Sequence, residues 1–188
     1  MHPMSGNILY ERRIDDMDFI LLIFRIEDEE YGIDINFVSG IEIISDVYPS
    51  VIKSDTIKET INYRGKKIPV FSLKNKFALI KRRDSDKLGC DQSEKIDVQA
   101  ADEIRYIIVE IDNIQFAMKA DYVEKIDMAG EKKLFDIPDI IRTEHTQCYD
   151  KILKVDERVI MILDIERLLT TEEKNQIANE INIIKKNY

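Results

Sequence analysis

Histidine and cysteine are scarce in this chain, two of each, and that scarcity removes most side-chain catalysis at once. His145 precedes Cys148 by three residues, which is half of a metal site at best. A structural zinc needs four ligands, and no second Cys/His pair exists to supply them. The same two residues make no nucleophile and base without a third group to orient them. Six glycines stand at positions 6, 32, 40, 65, 89 and 130, too dispersed for a loop that cradles phosphate. The longest apolar run, Phe19 to Phe24, is six residues and far short of a bilayer span. Acidic pairs such as Asp15-Asp16 and Glu29-Glu30 sit in polar, turn-like stretches and read as solvated charge. No catalytic residue, metal or cofactor is expected.

What is abundant is negative charge. Lys and Arg number 28 against 37 Asp and Glu, a formal net charge of −9. That field repels phosphate backbones and anionic lipid, so neither nucleic acid nor a membrane surface is expected as a partner. No basic-then-apolar leader is visible at the start, and two cysteines are no disulfide framework, so a reducing cytoplasm is the expected compartment. The 188 residues suffice for one large domain or two small ones packed together.

Residues 1–18 are polar and irregular and read as a loose arm. From Phe19 the texture changes to β-branched and aromatic residues, a strand through Ile26. After the acidic turn Glu27 to Glu30, the stretch Tyr31-Gly32-Ile33-Asp34-Ile35 alternates apolar and polar, as a half-buried strand does. Ile68 to Leu73 gives a later strand, with Pro69 where no ladder hydrogen bond is needed. Residues 81–103 break the pattern: twelve of these 23 are charged, and they read as a polar connector.

After the connector the first half starts again. Phe24, Ile26, Tyr31, Ile33, Ile35, Phe37, Val38 and Ile41 align without a gap to Val109, Ile111, Phe116, Met118, Ala120, Tyr122, Val123 and Ile126, an offset of 85. Ile68, Val70, Phe71, Leu73 and Phe77 match Ile160, Ile162, Leu163, Ile165 and Leu169 at an offset of 92. Shared alternation alone can align two β segments, but it does not reproduce the order of hairpin, turn and late strand. The pattern predicts a duplication: residues 19–80 and 104–170 as two small β-barrels, each covering apolar surface of the other. In the tail, Thr170 and Glu173 fit a capping box, and Ile177, Ile181 and Ile184 recur at helical spacing. Residues 171–188 are therefore expected to form an amphipathic helix docked on the barrels.

Three stretches carry a family resemblance. The first runs from Phe24 through Tyr31-Gly32-Ile33-Asp34-Ile35 to Val38 and Ile41. The second is Ile61-Asn62-Tyr63-Arg64-Gly65 with Ile68-Pro69-Val70 and Leu73. The third joins Ala120-Asp121-Tyr122-Val123-Glu124-Lys125-Ile126 with Ile162-Leu163-Asp164 and Leu168-Leu169. In order and spacing, over roughly residues 19–170, the chain resembles the CheW-like domain family. The resemblance implies a mainly β fold, two five-stranded SH3-like barrels side by side around a shared apolar core, with no catalysis. It implies a chemotaxis signal-transduction adaptor that binds the regulatory domain of a CheA-type histidine kinase and the cytoplasmic tip of methyl-accepting chemotaxis receptors. The chain would then be cytoplasmic and associated with receptor arrays at the inner membrane through those partners. A small-barrel protein-interaction adaptor in a signalling system outside chemotaxis is the other reading that fits.

The chain departs from the family pattern at four places: Glu59 for a glycine, Tyr63 for a leucine, Ser72 for a strand aspartate, and Gly40 for an acid. The expected protein-binding residues are Val38, Ile41, Glu42, Asn62, Arg64 and Gly65. For Val38 and Ile41 the competing role is barrel core; for Arg64 it is plain solvation. The matching family arginine is implicated in receptor coupling and pairs with the acid absent at Gly40. Positions 40 and 42 share a strand face, so Glu42 is expected to replace that acid and hold Arg64.

Overall fold

The structure, a computed structural model, describes residues 20–78, 104–127, 133–137 and 146–186. The arm 1–18, the connector 81–103, Cys90 and His145 lie outside the described residues. Among the described residues twelve strands follow one another: β1 (Ile20–Ile26), β2 (Glu29–Asp34), β3 (Val38–Glu42), β4 (Val47–Pro49), β5 (Ile57–Tyr63), β6 (Lys66–Phe71), β7 (Arg105–Ile111), β8 (Ile114–Ala120), β9 (Tyr122–Asp127), β10 (Lys133–Asp136), β11 (Tyr149–Val155) and β12 (Arg158–Leu163). Residues 73–78 are helical (α1), and α2 (Ile165–Leu168) and α3 (Thr171–Lys186) close the chain.

The duplication is present in the elements. Ile20 opens β1 as Arg105 opens β7, and Glu29 opens β2 as Ile114 opens β8, both 85 positions apart. Ile57 and Tyr149 open β5 and β11, and Lys66 and Arg158 open β6 and β12, both 92 apart. The strands form two sheets, ordered β10-β11-β12-β2-β1-β9 and β3-β7-β8-β6-β5-β4. Each therefore has six strands where the resemblance implied five; the short edge strands β4 and β10 supply the sixth in each. The two orders are one pattern applied twice, yet the opening hairpin of each sequence half pairs into the other half's sheet. β1 pairs with β9 and β2 runs parallel to β12, while β7 pairs with β3 and β8 runs parallel to β6.

This exchange explains the continuous apolar runs. Along a strand, successive side chains point to opposite faces, so a strand buried on both sides must be apolar at every position. Leu21 and Ile23 pack with Leu153, Ile160 and Ile162 inside one barrel. Their neighbours Leu22 and Phe24 face the other way, into a core shared between the sheets. In β7, Tyr106 and Ile108 fill the second barrel with Ile61, Ile68 and Val70, while Ile107 and Val109 join the shared core. A stack of rings crosses that core from Phe24 to Tyr31, Phe77 and Tyr149, with centroids 5.8, 4.9 and 5.6 Å apart, joining both sequence halves.

Helix α3 is fixed by polar contacts as well as by its apolar stripe. The capping box forms: the Thr170 amide donates to Glu173 Oε2 at 2.8 Å, and the Glu173 amide donates to Thr170 Oγ1 at 3.2 Å. Ile177 is fully buried and Ile181 packs on the shared core. Glu180 is also fully buried, its two carboxylate oxygens accepting the amides of Val51 and Ile52 at 3.0 and 3.1 Å. Ser54 donates to Gln176 at 2.8 Å, and Lys76 on α1 pairs with Glu173 at 2.6 Å. The loop after β4 thus leans on the helix for its hydrogen bonds.

Two outcomes follow from this packing. Glu180→Ala strands two part-buried amides, and denaturant titration should show a loss of about 1–3 kcal/mol. Burial, and for Tyr31 also its hydrogen bond to Glu29, raises the Tyr31 and Tyr149 phenols above their usual 10.0. Folding then favours the protonated form, so this stability is fully present below about pH 10 and falls as pH rises beyond it. Alkaline unfolding should begin there and be shallower in Tyr31→Phe; identical pH slopes for the two proteins would contradict this.

Candidate protein-interaction surface

The expected binding residues lie on two elements of the second sheet, the edge strand β3 and the hairpin β5–β6. β3 is exposed at alternate positions: Val38, Gly40 and Glu42 are half-buried while Ser39 and Ile41 face out. Val38 packs against the shared core, and Ile41 is 41% exposed. The strand's end and the next element carry further apolar side chains outward, Ile43 at 59%, Val47 and Tyr48. Four exposed apolar side chains within residues 41–48 make this stretch a candidate contact face.

The hairpin turns in two residues. Tyr63 pairs with Lys66, and Arg64 and Gly65 between them both take positive φ, 51° and 78°. Two left-handed residues twist a tight turn in the same sense as its strands, which is why Asn-Gly is the usual choice. Gly65 meets this demand with open space around it. Arg64 meets it at a cost, since a side chain with a Cβ is disfavoured in the left-handed region. Asn62, Arg64 and Gly65 are all exposed.

Tyr63 joins the two elements. Its ring is buried and its hydroxyl donates to the Ser39 carbonyl at 3.4 Å, so the end of β5 lies against β3. The expected pair between Glu42 and Arg64 does not form: no ion pair within 4.0 Å joins these two described residues. The Arg64 guanidinium lies instead over the Tyr63 ring, 4.9 Å from its centroid. The left-handed turn folds the arginine back on the residue before it, and the aromatic face is the nearer partner.

Cys148 is buried, and burial pushes its thiol up, away from the reactive thiolate. Among the described residues no group of three His, Cys, Asp or Glu could hold a metal ion. An open groove of about 260 Å³ between β4, β5 and α3 is lined by Tyr48, Val51 and Glu180, whose carboxylate already receives the two amides. No helix of the described residues is long and apolar enough to cross a membrane. Sequence reasoning missed Tyr63 as the residue that organises the surface; its signal was a large aromatic where a leucine was the pattern.

The comparisons agree with this architecture. Chemotaxis protein CheW of Treponema pallidum (strain Nichols) is 22% identical over 180 residues, covering 93% of this chain and 98% of that protein. Chemotaxis protein CheW of Klebsiella aerogenes is 27% identical over 158 residues, covering 84% and 86%. The crystal structure of the scaffolding protein TtCheW from Thermoanaerobacter tengcongensis superposes with a TM-score of 0.56 at 27% identity, over 79% of this chain and 90% of that one. The family model for the CheW-like domain matches residues 21–173, from β1 through β12 into α3 and so across both sheets, and the chain belongs to that family.

Proposed function

We propose that this chain is a non-enzymatic adaptor that couples a CheA-type histidine kinase to chemoreceptors. Its partners would be the kinase's regulatory domain and the cytoplasmic tip of methyl-accepting receptors. The observation that carries the reading is that one CheW-like domain match, residues 21–173, spans both barrels and the core between them. On this reading the protein is cytoplasmic and reaches the inner membrane only through its partners, in keeping with its net charge of −9.

The surface on β3 and the β5–β6 hairpin would be one contact. Ile41 offers an exposed apolar anchor, the kind of group that dominates such interfaces. Val38 would support it from beneath, and Asn62, Arg64 and Gly65 would supply the polar edge. Glu42, without Arg64 as its partner, would contribute charge beside the anchor. Arg64 supports this assignment by its place: its left-handed φ is what the two-residue turn demands, as at Asp156 in the repeat, and it holds an exposed cation at the tip of the hairpin.

The test is co-sedimentation of the full-length protein with receptor-bearing membranes and with the host's CheA-type kinase. Ile41→Asp should cut capture at least about tenfold with the unfolding temperature unchanged, while Val38→Asp should unfold the protein. Arg64→Asn should be as stable as the parent or up to about 1 kcal/mol more stable, and should still lose capture. Full capture by folded Ile41→Asp and Arg64→Asn variants would reject this surface, and absence of both partners from the parent's pellet would reject the function.

A further inference from the structure

The contact between Tyr63 and Gly40 has a geometry that bears on how Arg64 is held. A Cβ built on Gly40 would sit 2.8 Å from the Tyr63 hydroxyl oxygen and 3.5 Å from the ring carbon that bears it. The first distance is a clash and the second is ordinary contact. A side chain at position 40 would meet the hydroxyl, whereas the backbone there does not need glycine, its φ lying outside the positive range. Burial fixes the ring against β3, and the hydroxyl adds only a long hydrogen bond to the Ser39 carbonyl at 3.4 Å. The fixed ring then carries the Arg64 guanidinium at 4.9 Å. One chain of contacts runs from an absent Cβ to an exposed cation.

We propose that Tyr63 is the positioning residue for Arg64 and that Gly40 exists to admit it, so that positions 40 and 63 form one specificity unit. The proposal rests on Arg64 being a partner contact, as argued above. The aromatic face does for the arginine what a carboxylate would do, with a difference that a partner can use. A carboxylate engages the guanidinium's N–H donors, whereas a ring takes its face and leaves those donors directed outward. The ring-held arginine thus suits a partner that presents carboxylate or carbonyl oxygens in the plane of the fork.

The test is a double-substitution cycle on the full-length protein with two readouts. The first needs no partner: the Hδ resonances of Arg64, displaced upfield by the ring beneath it. The second is capture by receptor-bearing membranes. Tyr63→Leu removes the platform, and should abolish the displacement and weaken capture about two- to fivefold. Gly40→Ala pushes the hydroxyl and its ring aside, and should reduce both. Tyr63→Phe keeps the ring and should leave both near the parent. The combination of Gly40→Ala with Tyr63→Phe has no hydroxyl to clash, and should restore what Gly40→Ala alone loses. A merely structural role for Tyr63 would move the unfolding temperature without this rescue in the Arg64 resonances. The inference is overturned if Gly40→Ala leaves the Arg64 resonances unchanged, or if the combination fails to restore them. It is equally overturned if Arg64→Ala loses capture while Tyr63→Leu keeps it. Capture that survives Arg64→Ala would instead sink the reading of Arg64 as a contact, whatever the resonances do.

Discussion

Everything in this molecule depends on two hairpins that are buried on both faces. In β1, Leu21 and Ile23 fill one barrel while Leu22 and Phe24 fill the space between the barrels. In β7, Tyr106 and Ile108 do the first task and Ile107 and Val109 the second. Each hairpin belongs by sequence to one half and by hydrogen bonding to the other half's sheet. Removing either would open a barrel and expose the shared core together. Truncating one such side chain costs about 2–5 kcal/mol, a large fraction of the 5–15 kcal/mol that holds a domain folded. The two barrels are therefore one cooperative body, and whatever binds one of them is held at a fixed attitude to whatever binds the other. On the proposed reading, in which the chain couples two partners, that rigidity would be the useful property.

Much of this was legible in the sequence, because burial leaves a periodic trace. The uninterrupted apolar run at Leu21 to Phe24 announces a strand with no solvent face, and the offsets of 85 and 92 recover the register of the repeat. The capping box at Thr170 and Glu173 was readable because its partners are three residues apart. The exchange of hairpins was not, since periodicity tells which face a side chain takes and not which strand lies beside it. Glu180 was hidden for a related reason: a glutamate on a helix reads as solvent-facing until the amides of Val51 and Ile52, 129 and 128 residues away, are seen.

The departures from the family pattern divide by the same logic. Ser72 stands where an aspartate was the pattern, and its hydroxyl accepts the Asn75 amide at 3.2 Å at the start of α1. Asp164, its repeat equivalent, accepts the Arg167 amide at 3.1 Å at the start of α2. Serine and aspartate are interchangeable as helix caps, so this departure changes nothing in the fold. Tyr63 and Gly40 look like two unrelated losses along the chain, yet in space one occupies the volume the other vacates. The expectation that Glu42 would replace the missing acid followed strand periodicity correctly and failed on the turn. A left-handed Arg64 folds onto its own neighbour rather than across to β3.

The central claim is that the two sequence halves cannot fold apart, because each lends the other a hairpin. Splitting the chain between Glu103 and Ile104 and following each fragment, alone and mixed, by near-ultraviolet circular dichroism and denaturant titration tests this directly. Each fragment alone should lack fixed tertiary structure and a cooperative transition, and mixing should restore both in a one-to-one complex. A fragment that unfolds cooperatively by itself, with a transition unmoved by its complement, would contradict the account.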